Sequence, residues 1–234
     1  MSRIRTLCLL GVVLGTAGCI IDGDDDGAFI ADWQVLFLGN ELTTCKAAGT
    51  PTVTMEVARR GGERFTESFD CALERGRSRV VPPGTYDVTM TLENSLGEAV
   101  SGISGTFDVT HRGLVDLEII RFQVQSFVLT WSINKAGFPV KCADVGATTV
   151  HLVTQRGQDG PITYPFPCSA NRGVTQAIPL DTYSVYPQLL DANGRVLDSK
   201  RAMTVDAGET ERDANNQLVV KRAVLKPPVT FELP

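Results

Sequence analysis

Histidine is scarce in this chain of 234 residues: there are two, His111 and His151. A histidine-based general base or zinc cage therefore has little to draw on. No G-x-x-x-x-G-K-[ST] or G-x-G-x-x-G phosphate cradle occurs. No G-x-S-x-G nucleophile elbow occurs either, and residues 101–105 (SGISG) do not match one. There is no C-x-x-C pair. No segment keeps a 3.6-residue apolar period over the length of a helix. Basic residues are the minority, 22 Lys and Arg against 27 Asp and Glu, with a net charge of −5. That balance removes the basic footprint that nucleic-acid binding needs. The longest apolar stretch, residues 7–21, runs for about 15 residues, short of the ~20 that span a bilayer as a helix.

What is present begins at the N-terminus. Arg3 and Arg5 give a short positive start, residues 7–14 (LCLLGVVL) an apolar centre, and Gly15, Thr16, Ala17 and Gly18 a small-residue end. This is the three-part layout of an export signal. Thr16-Ala17-Gly18-Cys19 resembles a bacterial lipobox, although Thr16 stands where leucine is usual. The resemblance implies cleavage before Cys19, whose thiol then carries diacylglycerol and palmitate-type acyl chains. Several such chains anchor firmly, at about 0.8 kcal/mol per buried methylene. Ile20 follows the cysteine, and in the lipoproteins that this segment resembles the absence of Asp there implies the outer membrane.

An acidic run comes next. Residues 22–27 (DGDDDG) match the first half of a calcium loop, but the twelfth position is Trp33 rather than the bidentate Glu such a loop needs. The run reads as a solvated, self-repelling spacer.

Four cysteines remain beyond Cys8 and Cys19. Cys45 and Cys71 are separated by the same interval as Cys142 and Cys168, which points to an internal repeat. At that register Gly49 meets Gly146, and Thr52-Val53 meets Thr149-Val150. Phe69 meets Phe166, Pro82 meets Pro179, and Thr85-Tyr86 meets Thr182-Tyr183. Leu92 meets Leu189, and Gly97 meets Gly194. Trp33 and Trp131 are a further pair, one residue out of step. Of the three pairings open to four cysteines, only Cys45–Cys71 with Cys142–Cys168 keeps each copy self-contained. An exported chain meets oxidising conditions in which such bonds persist.

Within each copy the pattern is that of strands. Residues 52–58 (TVTMEVA) alternate, as do residues 149–154 (TVHLVT). Gly61-Gly62, residues 94–97, 157–160 and 191–194 mark turns. Further strands are predicted at 33–37, 85–92, 105–109 and 114–122 in copy one, and at 127–131, 183–190, 218–225 and 230–233 in copy two. About seven short strands in about 100 residues predict an immunoglobulin-like β-sandwich. The expected fold is all-β: a signal peptide (1–18), a lipidated acidic spacer (19–28) and two tandem β-sandwich domains (29–124 and 125–234). Residues 114–133 hold no Gly or Pro, which predicts a short, stiff junction between the copies.

Residues 82–86 (PPGTY) form the clearest local motif. Gly84 suits a type II turn by taking a positive φ, and Tyr86 is expected at a corner of the core with its hydroxyl hydrogen-bonded. Copy two reads PLDTY. This P-G-T-Y pattern resembles carboxypeptidase-regulatory-like and PEGA-like β-sandwich modules of bacterial surface proteins, which implies a non-catalytic domain.

Two features invite binding. Arg75, Arg77 and Arg79 alternate and so share a face of an extended strand, with Arg59, Arg60 and Arg64 on the neighbouring hairpin. This is a candidate site for phosphate or acidic sugars, offset by Glu63, Glu67 and Glu74. Tyr164 and Phe166 alternate among Pro161, Pro165 and Pro167, a candidate sugar platform or simply core and edge strand. No catalytic residues, cofactor or metal are expected. The expected role is structural or adhesive in the bacterial cell envelope, held to the membrane through Cys19, with a protein or glycan partner and no nucleic acid. The alternatives are a small anchored hydrolase with a site around His111 or His151, and an accessory subunit of an envelope complex.

Overall fold

A computed structural model describes residues 26–37, 41–110, 113–208, 210–212, 218–220, 223, 225 and 228–234. Cys19, the run 22–25 and His111 lie outside the described residues.

Copy one opens with β1 (Ala28–Phe37) and β2 (Glu41–Thr43), followed by a one-turn helix α1 (Cys45–Ala48). Then come β3 (Thr52–Arg59), β4 (Arg64–Asp70), β5 (Arg75–Arg77), β6 (Gly84–Glu93), β7 (Ala99–Val109) and β8 (Leu114–Val124). Strands β4, β3, β6 and β7 form one sheet in that order. The other sheet runs β2-β1-β5, with β8 pairing parallel to β1. Alternation drives the packing: Val53, Met55 and Val57 of β3, and Tyr86, Val88, Met90 and Leu92 of β6, all face inward and are buried. Phe29, Trp33 and Phe122 meet them from the second sheet.

Copy two repeats this plan. Its strands are β9 (Val128–Lys135), β10 (Phe138–Val140), β11 (Ala147–Arg156), β12 (Ile162–Pro167), β13 (Arg172–Val174) and β14 (Thr182–Asp191). They continue with β15 (Val196–Ser199), β16 (Met203–Asp206), β17 (Thr210–Arg212), β18 (Leu218–Val220) and β19 (Val229–Leu233). Strand β19 pairs parallel to β9, as β8 does to β1. The chain is thus all-β, two immunoglobulin-like sandwiches in tandem. Among the described residues no helix is long and apolar enough to cross a membrane.

Three expectations need correction. Residues 218–225 do not form one strand: only Leu218–Val220 does, paired with Thr210–Arg212 in an added hairpin. The strand expected at 105–109 begins at Ala99, because β6 is long enough to pair along all of β7. Gly84 is not a positive-φ residue. A Cβ there would lie 2.9 Å from Nε of Arg59, the far end of a flexible side chain whose guanidinium donates to the carbonyl of Pro83 at 2.8 Å.

Candidate functional site

Each copy is stapled by its own disulfide, Cys45–Cys71 and Cys142–Cys168. The indole Nε1 of Trp33 donates to the Cys71 carbonyl, and that of Trp131 to the Cys168 carbonyl. Phe69 and Phe166 lie against these indoles at 6.0 and 6.2 Å between ring centroids. Phe166 is therefore a core contact rather than half of a sugar platform. Tyr164 is half-buried beside it on edge strand β12, and burial raises its phenol above the usual range. The two corner tyrosines donate to the carbonyls of Pro82 and Pro179, at 2.7 and 3.0 Å.

The arginines of copy one do not act as a single face. Arg75 makes a two-pronged bond with Asp32, at 2.6 and 2.9 Å, and that bond holds the Asp32 carboxyl below the usual range. The Arg79 guanidinium lies 3.8 Å from the centroid of the Phe65 ring. Arg60 pairs with Asp87, and Arg64 with Glu56. These partners stand on four strands, Asp32 on β1, Phe65 on β4, Asp87 on β6 and Glu56 on β3, and Arg77 is exposed. His151 sits between Pro165 and Gln188 on adjoining strands. Among the described residues, no three His, Cys, Asp or Glu side chains are grouped so as to hold a metal.

The densest polar arrangement is the joint between the copies. Val124 ends β8 and Val128 begins β9, and the three residues between them, Gln125, Ser126 and Phe127, are all buried. Gln125 accepts from the backbone N–H of Ile178 at 2.9 Å, and its side chain donates to the Ala207 carbonyl at 3.2 Å. A strap across the copies runs beside this connection. Ala177 donates its N–H to the Ala48 carbonyl at 2.7 Å, and Asn94 Nδ2 donates to the Ala177 carbonyl at 3.2 Å. Ser95 and Gln176 meet through their side chains. Ala177 is so deeply set that it belongs to the core of copy one.

The second strap is ionic. Arg156 of copy two stands 3.2 Å from the Glu98 carboxylate of copy one, and 2.9 Å from Asp159. The hydrogen bond to Asp159 holds the Arg156 guanidinium protonated. Thr154, Tyr164, Ile178 and Tyr183 complete a cavity of about 180 Å³ at this place. Burial pushes the Tyr183 phenol strongly up. The uninterrupted stretch at residues 114–133 announces the covalent link, but the side straps were missed. Their signal is a difference between copies: Gln176-Ala177 replaces Arg79-Val80, and Arg195 replaces Glu98.

The far side of copy two is open. A cavity of about 510 Å³ is lined by Trp131, Ile133, Pro139, Lys141, Cys142 and Asn171. The equivalent cavity of copy one, at Trp33 and Cys45, holds about 200 Å³.

No protein-family model matches the chain, and no curated protein matches it. Comparison with solved structures gives distant likenesses. The Bacillus anthracis TIE protein is 12% identical, with a TM-score of 0.36 over 89% of this chain and 34% of that one. This chain thus spans about a third of that protein's length. A streptococcal ancillary pilin is 10% identical, with a TM-score of 0.36 over 88% of this chain and 62% of the pilin. The fimbrial anchor protein Mfa2 of Porphyromonas gingivalis is 6% identical, with a TM-score of 0.36 over 75% of this chain and 82% of the anchor. At such scores and identities the likeness decides nothing about this chain's function.

Proposed function

We propose that the chain is a non-catalytic, lipid-anchored protein of the bacterial cell envelope that displays its second sandwich at a set distance and angle from the membrane. Residues 1–18 are the signal, Cys19 carries the lipid in the outer membrane, and residues 29–124 and 125–234 are the two repeats. The observation that carries this reading is the joint. Two straps and a buried connection make the two copies one stiff rod, a device that serves presentation rather than catalysis. The cavity beside Trp131 is the contact surface for a protein or glycan partner, with Lys141 on its rim.

Two measurements test it. Intact mass of the protein purified from its own membranes should show loss of residues 1–18 and an acylated Cys19. Spin labels on β6 and β14 should give one narrow distance distribution. A chain cut elsewhere without lipid removes the anchor, and a broad distribution removes the rod.

A further inference from the structure

The joint closes one end of copy two, and copy one repeats that end with its charges changed. At the joint, Arg156 meets three carboxylates: Asp159 at 2.9 Å, Glu98 of the other copy at 3.2 Å and Asp181 at 3.9 Å. Its equivalent in copy one is Arg59, which lies opposite Tyr86 as Arg156 lies opposite Tyr183. The positions equivalent to Asp159 and Asp181 hold glycines there, Gly62 and Gly84, and a second arginine, Arg79, stands in place of Gln176. Both arginines line a cavity of about 410 Å³ with Glu63, Phe65, Val81 and Tyr86. Val80, on the same wall, is 56% exposed where its counterpart Ala177 is fully covered.

The neighbours of these arginines do not cancel their charge. Arg59 donates to the neutral Pro83 carbonyl, and the Arg79 guanidinium lies on the Phe65 ring. Glu67 is taken up by the backbone N–H of Arg79 at 2.8 Å. The charges of Asp26 and Glu63 act on the Tyr86 phenol. Among the described residues neither Arg59 nor Arg79 enters an ion pair, whereas Arg60, Arg64 and Arg75 do. Two free guanidinium groups side by side favour a carboxylate, because charge-assisted bonds to Arg are stronger than neutral ones. The joint shows how a protein delivers one. Glu98 stands on the turn between β6 and β7, and Asn94 and Ser95 of the same turn also reach copy two. A second copy of the chain is the wrong donor. The equivalent turn of copy two carries Arg195 in place of Glu98, and its Asp191 is already paired with Arg195.

We propose that the Arg59–Arg79 cavity docks an acidic β-hairpin of a partner protein, whose carboxylate takes the place that Glu98 takes on Arg156. This is a second contact surface, on the other copy from the cavity beside Trp131.

The probe is a backbone-cyclised peptide of residues 92–100, the chain's own β6–β7 turn, read by amide NMR shifts of the full chain in detergent. It should shift the amides of residues 59–65 and 79–86 saturably and leave those of β15 and β16 in place. Glu98→Gln in the peptide should weaken binding roughly tenfold or more, as loss of a charge-assisted bond does. Arg59→Gln with Arg79→Gln in the protein should do the same, with the amides of β11 and β14 as the folding control. No saturable shift at millimolar peptide overturns the proposal, as does equal binding by the Glu98→Gln peptide. Galacturonate, titrated in parallel, overturns it as well if it binds this cavity more tightly than the peptide, by making an acidic sugar the occupant.

Discussion

The indole N–H of Trp33 donates to the carbonyl of Cys71 at 2.8 Å, and Trp131 does the same to Cys168 at 2.9 Å. Cys71 and Cys168 each open a short helical turn that ends in a left-handed residue, Glu74 or Asn171. The backbone carbonyls of these residues in turn receive the N–H of Trp33 and Trp131. One tryptophan thus ties the first strand of each copy to the chain that leaves the disulfide. Trp33→Phe keeps most of the ring and removes one of two donors to the Cys71 carbonyl, which keeps the N–H of Glu74. The expected cost is about 1 kcal/mol in chemical denaturation, and the same for Trp131→Phe, where the Cys168 carbonyl keeps the N–H of Asn171. A cost near zero in both would mean the indole N–H is incidental.

The disulfides act on separate loops, each of 26 residues. The chain-entropy relation assigns roughly 3.5 kcal/mol to a loop of about this length. Replacing Cys45 and Cys71 with Ala should therefore melt copy one before copy two, and the reverse pair should invert the order. Fluorescence of Trp33 and Trp131, each read in a background with the other replaced by Phe, distinguishes the two transitions.

Alkaline pH should weaken copy two through Tyr183. Burial raises its folded-state value strongly, while the unfolded phenol titrates at about 10. Between those values the unfolded chain has lost its proton and the folded chain has kept it. Stability is therefore full below about pH 10 and falls as pH rises above it. Tyr183→Phe removes this slope at the cost of the hydroxyl bond to Pro179, about 1 kcal/mol. Denaturant midpoints between neutral and alkaline pH, in parent and variant, decide it.

Acid should act in the other direction on copy one. The Asp87 carboxyl is held low first by the hydroxyl of Thr106 and then by Arg60. A folded-state value below the unfolded one gives stability that is present above about pH 4 and is lost as pH falls through the folded value. Asp87→Asn should make the acid limb of the stability curve shallower, as read by urea midpoints down to the acid transition.

The repeat explains why so much of the fold was legible. Alternation in residues 52–58 and 149–154 was doubly sampled, so strand, face and disulfide partner each had an internal check. What the sequence hid is conformational. Glu74 and Asn171 take positive φ, at 56° and 55°, yet only Asn is a residue type that advertises it. The hairpin β17–β18 occurs in one copy, so comparison offered no guide there. Gly84 looked like a turn glycine, yet its φ is not positive. Of the joint, the covalent junction was visible as an uninterrupted run. The straps were not, because Ala177 and Gly49 carry no chemistry that marks them until the two surfaces meet.

Gly49 and its repeat equivalent Gly146 separate the joint from the domain. Both close a helical turn with φ of +66°, so Ala at either site carries the same backbone strain, about 1–2 kcal/mol. Their surroundings differ. A Cβ at Gly49 would lie 2.5 Å from Cβ of Gln176 on the other copy, whereas nothing approaches within 4 Å at Gly146. Gly146→Ala should therefore lower stability and leave the angle between copies unchanged. Gly49→Ala should lower it further and broaden the distance between spin labels on β6 and β14, because Gln176 must give way and the Ala177–Ala48 hydrogen bond goes with it. Equal distance distributions in the two variants would show that the joint does not depend on this contact. The stiffness would then rest on the buried Gln125–Phe127 connection and the Arg156–Glu98 pair.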